Sequence, residues 1–120
     1  ENKILVDSKS KYLFSDSDPV KVTISSNAIS NILKDGKELT QIDGVAIGLY
    51  HFSKDGINCV IKSIERKISE GNDDLSLYYA IDDVLKEYNV EPVFADKCKW
   101  IDIDTPADLL KARELNFDEN

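Results

Sequence analysis

The chain has 120 residues, of which 42% are hydrophobic and 32% charged, and its formal net charge is -8. Its pI is near 4.6 and its mean hydropathy is -0.33. A chain of this size makes one small domain or a piece of one. So acidic a surface repels a phosphate backbone, which argues against general nucleic-acid binding, and no apolar run approaches the roughly 20 residues needed to span a bilayer.

No basic start followed by an apolar stretch marks a secretory leader. The two cysteines, Cys59 and Cys98, form no CxxC pair, and free cysteines of intracellular chains are mostly small core residues. These features place the chain in the cytoplasm, with neither nucleic acid nor membrane as partner. The chain opens at Glu1 without a methionine and enters an apolar segment at once, as a trimmed or cleaved chain does.

In chain order, Ile4-Leu5-Val6 reads as a short buried strand ending at Asp7. The polar stretch 8–19 reads as a loop anchored by Tyr12 and Phe14. Val20, Val22 and Ile24 alternate with Lys21 and Thr23, the period-two pattern of a half-buried strand. Ser26-Asn27 supplies a tight turn, and residues 28–34 return as the second arm of a hairpin. Asp35-Gly36 and Asp43-Gly44 punctuate the following loop. Residues 45–52 form an apolar strand broken by Gly48, where glycine marks a bulge or close packing.

A helix is predicted over 54–69, with Ile57, Val60, Ile61, Ile64 and Ile68 on its inward face and Gly71 just past its end. A second helix covers 76–88, with Leu77, Ile81, Val84, Leu85 and Tyr88 inward and Asp73-Asp74 as its lead-in. Strands are expected at 90–95 and 99–104. Thr105-Pro106-Ala107-Asp108 starts a final helix: Thr105 can cap, Pro106 suits the first position, and Asp108 can answer the cap. That helix runs to about 115, and the tail 116–120 frays. Strands alternating with helices at these lengths indicate an α/β layered domain.

The chemistry is concentrated in residues 100–106. In an extended strand, side chains alternate faces, so Trp100, Asp102 and Asp104 are expected on one face, with Ile101 and Ile103 turned into the sheet. Two carboxylates about 7 Å apart at the carboxyl end of a strand can share a hard cation such as Mg2+. Open α/β sheets place their ligands at that end. The plainer alternative is a solvated Asp102, with Asp104 or Thr105 only capping the last helix. His51 is the only histidine, so no His-based metal cluster or Ser-His pair is available. Tyr78 and Tyr79 read as core and rim, and Asp7 as structural.

The run WIDIDTPADLLKA, residues 100–112, resembles the closing segment of sugar-phosphate and alcohol-phosphate nucleotidyltransferases. It is most similar to the cytidylyltransferase-like members related to the phosphoenolpyruvate mutase-associated and inositol-phosphate enzymes. Residues 20–56, VKVTISSNAISNILKDGKELTQIDGVAIGLYHFSKDG, resemble the central hairpin of that family. The resemblance implies a partial nucleotide-diphospho-sugar-transferase-like, Rossmann-like three-layer sandwich, with a mixed sheet, a β-hairpin and three helices. It implies Asp104 as a Mg2+ ligand with Asp102 beside it, and Lys34 as the cation that reaches the acceptor's phosphate, a task suited to a mobile ammonium.

The implied reaction is cytidylyl transfer from CTP, or another NTP, to a small phosphate- or phosphonate-bearing acceptor, with release of pyrophosphate. The Gly-rich phosphate loop that opens the family is missing here, since the glycines at 36, 44, 48, 56 and 71 are scattered. The chain is therefore expected to be the C-terminal half of a catalytic domain, a fragment inactive alone. The missing strands would leave a sheet edge and an apolar face open, so a homo-oligomer or a covering partner is expected. The alternative is a non-catalytic, degenerate domain that serves as a regulatory or assembly module.

Overall fold

The computed structural model describes residues 1–9, 19–34 and 41–115. The expected anchors Tyr12 and Phe14, the Asp35-Gly36 turn and the frayed tail 116–120 lie outside the described residues. The elements are β1 (Asn2–Asp7), β2 (Val20–Ser25), β3 (Ala28–Leu33), β4 (Gly44–His51), α1 (Lys54–Ser69), α2 (Leu77–Glu87), β5 (Val90–Phe94) and α3 (Pro106–Glu114). The five strands form one mixed sheet in the order β3-β2-β4-β1-β5. β1 and β5 run parallel. The β1/β4, β2/β3 and β2/β4 pairs are antiparallel. The described residues thus make a mixed α/β fold, a five-stranded sheet with three helices.

Local chemistry accounts for most of these elements. Ser26 and Asn27 both take positive φ, 52° and 64°, the two-residue turn whose twist suits a hairpin. Ser53 caps α1 by accepting from the Gly56 N–H at 3.1 Å, while its own N–H donates to the Asn2 side chain at 2.8 Å. Ser76 caps α2. α3 opens with the expected capping box between Thr105 and Asp108. Gly71 has φ +83° just past α1, a left-handed conformation that favours glycine.

The core forms between one sheet face and α1 and α2. Ile4 and Val6 of β1, Val20 and Val22 of β2, Ile29 and Ile32 of β3 and Val90 of β5 meet Val60 of α1 and Ala80, Ile81 and Val84 of α2. In β1 the burial alternates residue by residue, so the core takes Ile4 and Val6 and leaves Lys3, Leu5 and Asp7 for the opposite face. The sheet curls enough to bring β3 against α2 and close to β5. Ile32 at 0% and Ile29 at 3% exposure are buried by that curl.

Several sequence expectations fail, each for a physical reason. Residues 99–104 form no strand. β1 is already flanked by β4 and β5, and the chain turns back after Ala95, whose carbonyl accepts the Cys98 N–H at 2.9 Å. Trp100 is then tied to Asp7, so the segment leaves the outer edge of β5 instead of adding a ladder to it. The alternating-face argument for Asp102 and Asp104 lapses with that strand, and Ile103 is 49% exposed instead of turned into the sheet.

The inward set of α1 also changes. Gly56, Val60 and Ser63 are buried, whereas Ile57, Ile61 and Ile68 remain 42–55% exposed. Asn2 fits closely against Gly56, so the side of the helix carrying the small residues seats on the sheet; Ile64 still packs against the core as expected, while Ile57, Ile61 and Ile68 lie to the side. On α2, Leu77 is exposed while Ile81 and Val84 are buried. Cys59 is half-buried and packs against the core, whereas Cys98 is exposed and is not a core residue. Among the described residues no helix is long and apolar enough to cross a membrane.

Candidate functional site

A groove of about 660 Å³ opens beside β4, lined among others by Lys34, Gly48, Tyr78, Trp100, Asp102 and Asp104. Its floor is a bulge. Ile4 pairs with Tyr50 and Val6 with Ala46, so Ile47, Gly48 and Leu49 stand against Leu5 alone. Gly48 takes φ +89° there, which glycine tolerates and other residues rarely adopt, and a side chain at this position would meet open space. On one flank, β2 first pairs with β4 at Ala46, and Pro19 and Val20 line the groove.

Each expected site residue reaches the groove by a different route. Lys34 follows the last residue of β3 and is exposed. Asp102 and Asp104 lie in the irregular segment before α3 and are exposed. That segment is held at both ends. At one end the Trp100 indole N–H donates to Asp7 Oδ2 at 2.7 Å. At the other, Asp108 Oδ2 accepts from the backbone N–H groups of Asp104 at 3.1 Å and Thr105 at 3.0 Å, and the Asp108 N–H donates to Thr105 Oγ1 at 3.1 Å. The backbone N–H of Asp104, with the Thr105 side chain, holds the Asp108 carboxyl below the usual carboxylate range. Asp104 is therefore a residue whose backbone is capped by Asp108, leaving its own carboxylate for the groove.

Asp108 also borders the groove, but its carboxylate is committed to the cap. Among the described residues no group of three His, Cys, Asp or Glu side chains converges as a metal cage. Asp102 and Asp104 therefore offer at most a two-carboxylate donor set. This suits Mg2+, which typically takes one or two carboxylates and completes its shell with water and substrate phosphates. It does not suit a metal that needs three or four protein ligands.

Other candidates are occupied elsewhere. Asp7 accepts from Trp100 and from the Lys9 N–H. Beside it, Asp96 accepts from the Ser8 hydroxyl at 2.5 Å and the Ser8 N–H at 2.7 Å, and those two bonds hold its carboxyl low. His51 Nδ1 pairs with the Glu1 carbonyl oxygen at 3.0 Å. Burial and the neighbouring Glu87 charge push the Cys59 thiol up, so it is a poor nucleophile. A smaller depression of about 320 Å³ between α1 and α2 contains Ser63, Arg66 and Asp83, which bond to one another; none of the expected site residues lines it.

The groove includes two features that sequence reasoning did not assign to it. Tyr78, in the first turn of α2, lines it, and Trp100 anchors its wall. Nothing local in the sequence identifies either role, because each depends on an element distant along the chain. The sequence matches no protein-family model and no curated protein.

Proposed function

We propose that the chain is the metal- and acceptor-binding part of a nucleotidyltransferase catalytic domain, of the Rossmann-like nucleotide-diphospho-sugar-transferase type. The reaction is cytidylyl transfer from CTP to a small phosphate- or phosphonate-bearing acceptor. The observation that carries this reading is the single groove shared by Lys34, Asp102 and Asp104, residues that the sequence separates by a strand, two helices and another strand.

In this reading Lys34 binds the acceptor's anionic oxygens as a mobile cation. Asp102 and Asp104 would hold Mg2+, which when bound would supply neutralisation of phosphate charge. An acceptor oxygen bonds to the α-phosphorus as the bond to the pyrophosphate oxygen breaks in line, so the chain's task is positioning and charge balance. Trp100 and the α3 cap keep the carboxylates in place. With no Gly-rich loop in its sequence, the chain alone is inactive and contributes one side of the site.

The exposed apolar side chains on α1 and α3, Ile61, Ile68, Leu109 and Leu110 among them, favour a second reading as an assembly module without catalysis. Calorimetric titration with CTP separates the two. The enzymatic reading expects binding that requires Mg2+, disappears in chelator and weakens at least tenfold in Asp104→Asn. Absence of any Mg2+-dependent CTP binding leaves the assembly module.

A further inference from the structure

α1 is held from below and on one flank, and its other flank carries a stripe of isoleucines. Gly56, Val60 and Ser63 are its buried residues. On one flank, the Ser63 hydroxyl and the Arg66 guanidinium both donate to the Asp83 carboxylate of α2. A helix turns about 100° per residue, which sets Ile57, Ile61, Ile64 and Ile68 on the flank away from α2. Ile64 reaches down to the core. Ile57 is 42% exposed, Ile61 46% and Ile68 55%, so the described residues leave this flank uncovered.

The spacing and the charges together say what covers it. The four isoleucines follow one another at intervals of four, three and four residues, the repeat of a helix that packs lengthwise on another helix. Lys54 stands at the amino end of the same flank and Glu65 borders it toward the carboxyl end. Both are exposed, and neither joins an ion pair among the described residues. A second copy laid antiparallel on the stripe, with the two-fold axis near Ile61, sets Ile61 on its own counterpart and Ile57 beside Ile64. The same placement brings Lys54 of each copy toward Glu65 of the other. Parallel packing would instead set lysine on lysine and glutamate on glutamate. The antiparallel arrangement also opposes the two helix dipoles. A uniformly acidic or basic partner would match only one end of the flank, whereas a second copy matches both.

We propose that α1 is a homodimer interface, an isologous antiparallel contact of the isoleucine stripe closed at each end by Lys54 and Glu65. With 16 residues, α1 is about 24 Å long. So short a seam buries less than the roughly 1,600 Å² of a standard interface, and the dimer is reversible, dissociating at micromolar concentration. No α1 residue lines the groove beside β4, so the dimer stands or falls apart from the groove's chemistry.

The test is sedimentation equilibrium of the full chain over about a hundredfold range of concentration, reaching several hundred micromolar. The wild type should show a monomer–dimer equilibrium. Ile61→Lys should weaken it at least tenfold, while the circular-dichroism melt of the dilute monomer stays where it was, because the side chain is exposed. Lys54→Glu and Glu65→Lys should each weaken dimerisation about threefold, and the double variant should restore it. A wild type that stays monomeric throughout overturns the proposal. A dimer that survives Ile61→Lys uses another surface and overturns it as well. Loss of the dimer in Ile61→Lys without rescue in the charge-swapped double variant overturns the antiparallel arrangement. Should Ile61→Lys not fold, Ile68→Lys, at a more exposed position, takes its place with the same expected loss.

Discussion

The Trp100 indole N–H donates to Asp7 Oδ2 at 2.7 Å across 93 residues of sequence. The bond joins the end of β1 to the segment that carries Asp102 and Asp104. Asp7 in turn accepts the Lys9 N–H at 2.8 Å, so one carboxylate ties together the exit from β1 and the approach to α3.

Trp100→Phe keeps an aromatic ring and removes this bond. A hydrogen bond to a charged group contributes on the order of 2 kcal/mol. The expected result is a stability loss of about that size in urea titration, with faster amide exchange over residues 101–104. Retention of full stability would mean that the segment is held by other contacts.

Gly44 and Gly48 stand in the same strand and should respond differently to alanine. An added methyl at Gly44 runs into the Val6 side chain, which is fully buried and has nowhere to go. Overpacking of this kind costs about 1–3 kcal/mol. At Gly48 the methyl meets open space, but φ is +89°, so the cost is backbone strain of about 1 kcal/mol. Chemical denaturation of the two variants should rank Gly44→Ala as the more damaging.

Asp83 is the hub of the α1/α2 contact. It accepts from Ser63 Oγ at 2.5 Å and pairs with Arg66 at 2.9 Å, Lys67 at 3.2 Å and Lys86 at 3.4 Å. Burial opposes its charge, but Ser63 and Lys67, with help from Lys86, outweigh burial and hold the carboxyl at about 2, below its ordinary value of 3.8. A depressed carboxylate stabilises the fold above its unfolded pKa and loses that contribution as the pH falls through its folded one. Its share of stability should therefore be whole above about pH 4 and be lost toward pH 2. With its side chain 19% exposed, that share is on the order of 1 kcal/mol after allowing for solvent screening. Asp83→Asn should lower stability at neutral pH and flatten the acid limb, read from urea melts at several pH values.

α3 buries none of its own residues, so its cap carries unusual weight. Thr105→Ala deletes the acceptor for the Asp108 N–H, at a cost of about 1 kcal/mol. Because the helix is so weakly packed, the loss should be local: faster amide exchange over α3, little change in the global melt. On the proposed nucleotidyltransferase reading, the same change should weaken Mg2+-dependent CTP binding, since the Asp108 carboxylate of this cap holds the Asp104 backbone. A purely global effect would contradict this account.

What could be read from the sequence was whatever is decided within a few residues. The hairpin of β2 and β3 follows from Val20, Val22 and Ile24 and from a turn that Asn27 tolerates; the start of α3 follows from Thr105, whose cap bonds three residues ahead. The candidate residues Lys34, Asp102 and Asp104 were likewise named from local pattern and resemblance. The tertiary structure alone decided that residues 99–104 form no strand, that α1 seats on Gly56 and Val60 with Ile57, Ile61 and Ile68 to the side, and that Lys34, Tyr78 and Asp104 share one groove. A strand exists only where another offers its edge, and a helix face is buried only by what lies opposite. Both are relations between distant parts of the chain, such as Trp100 with Asp7, and a short-range pattern does not encode them.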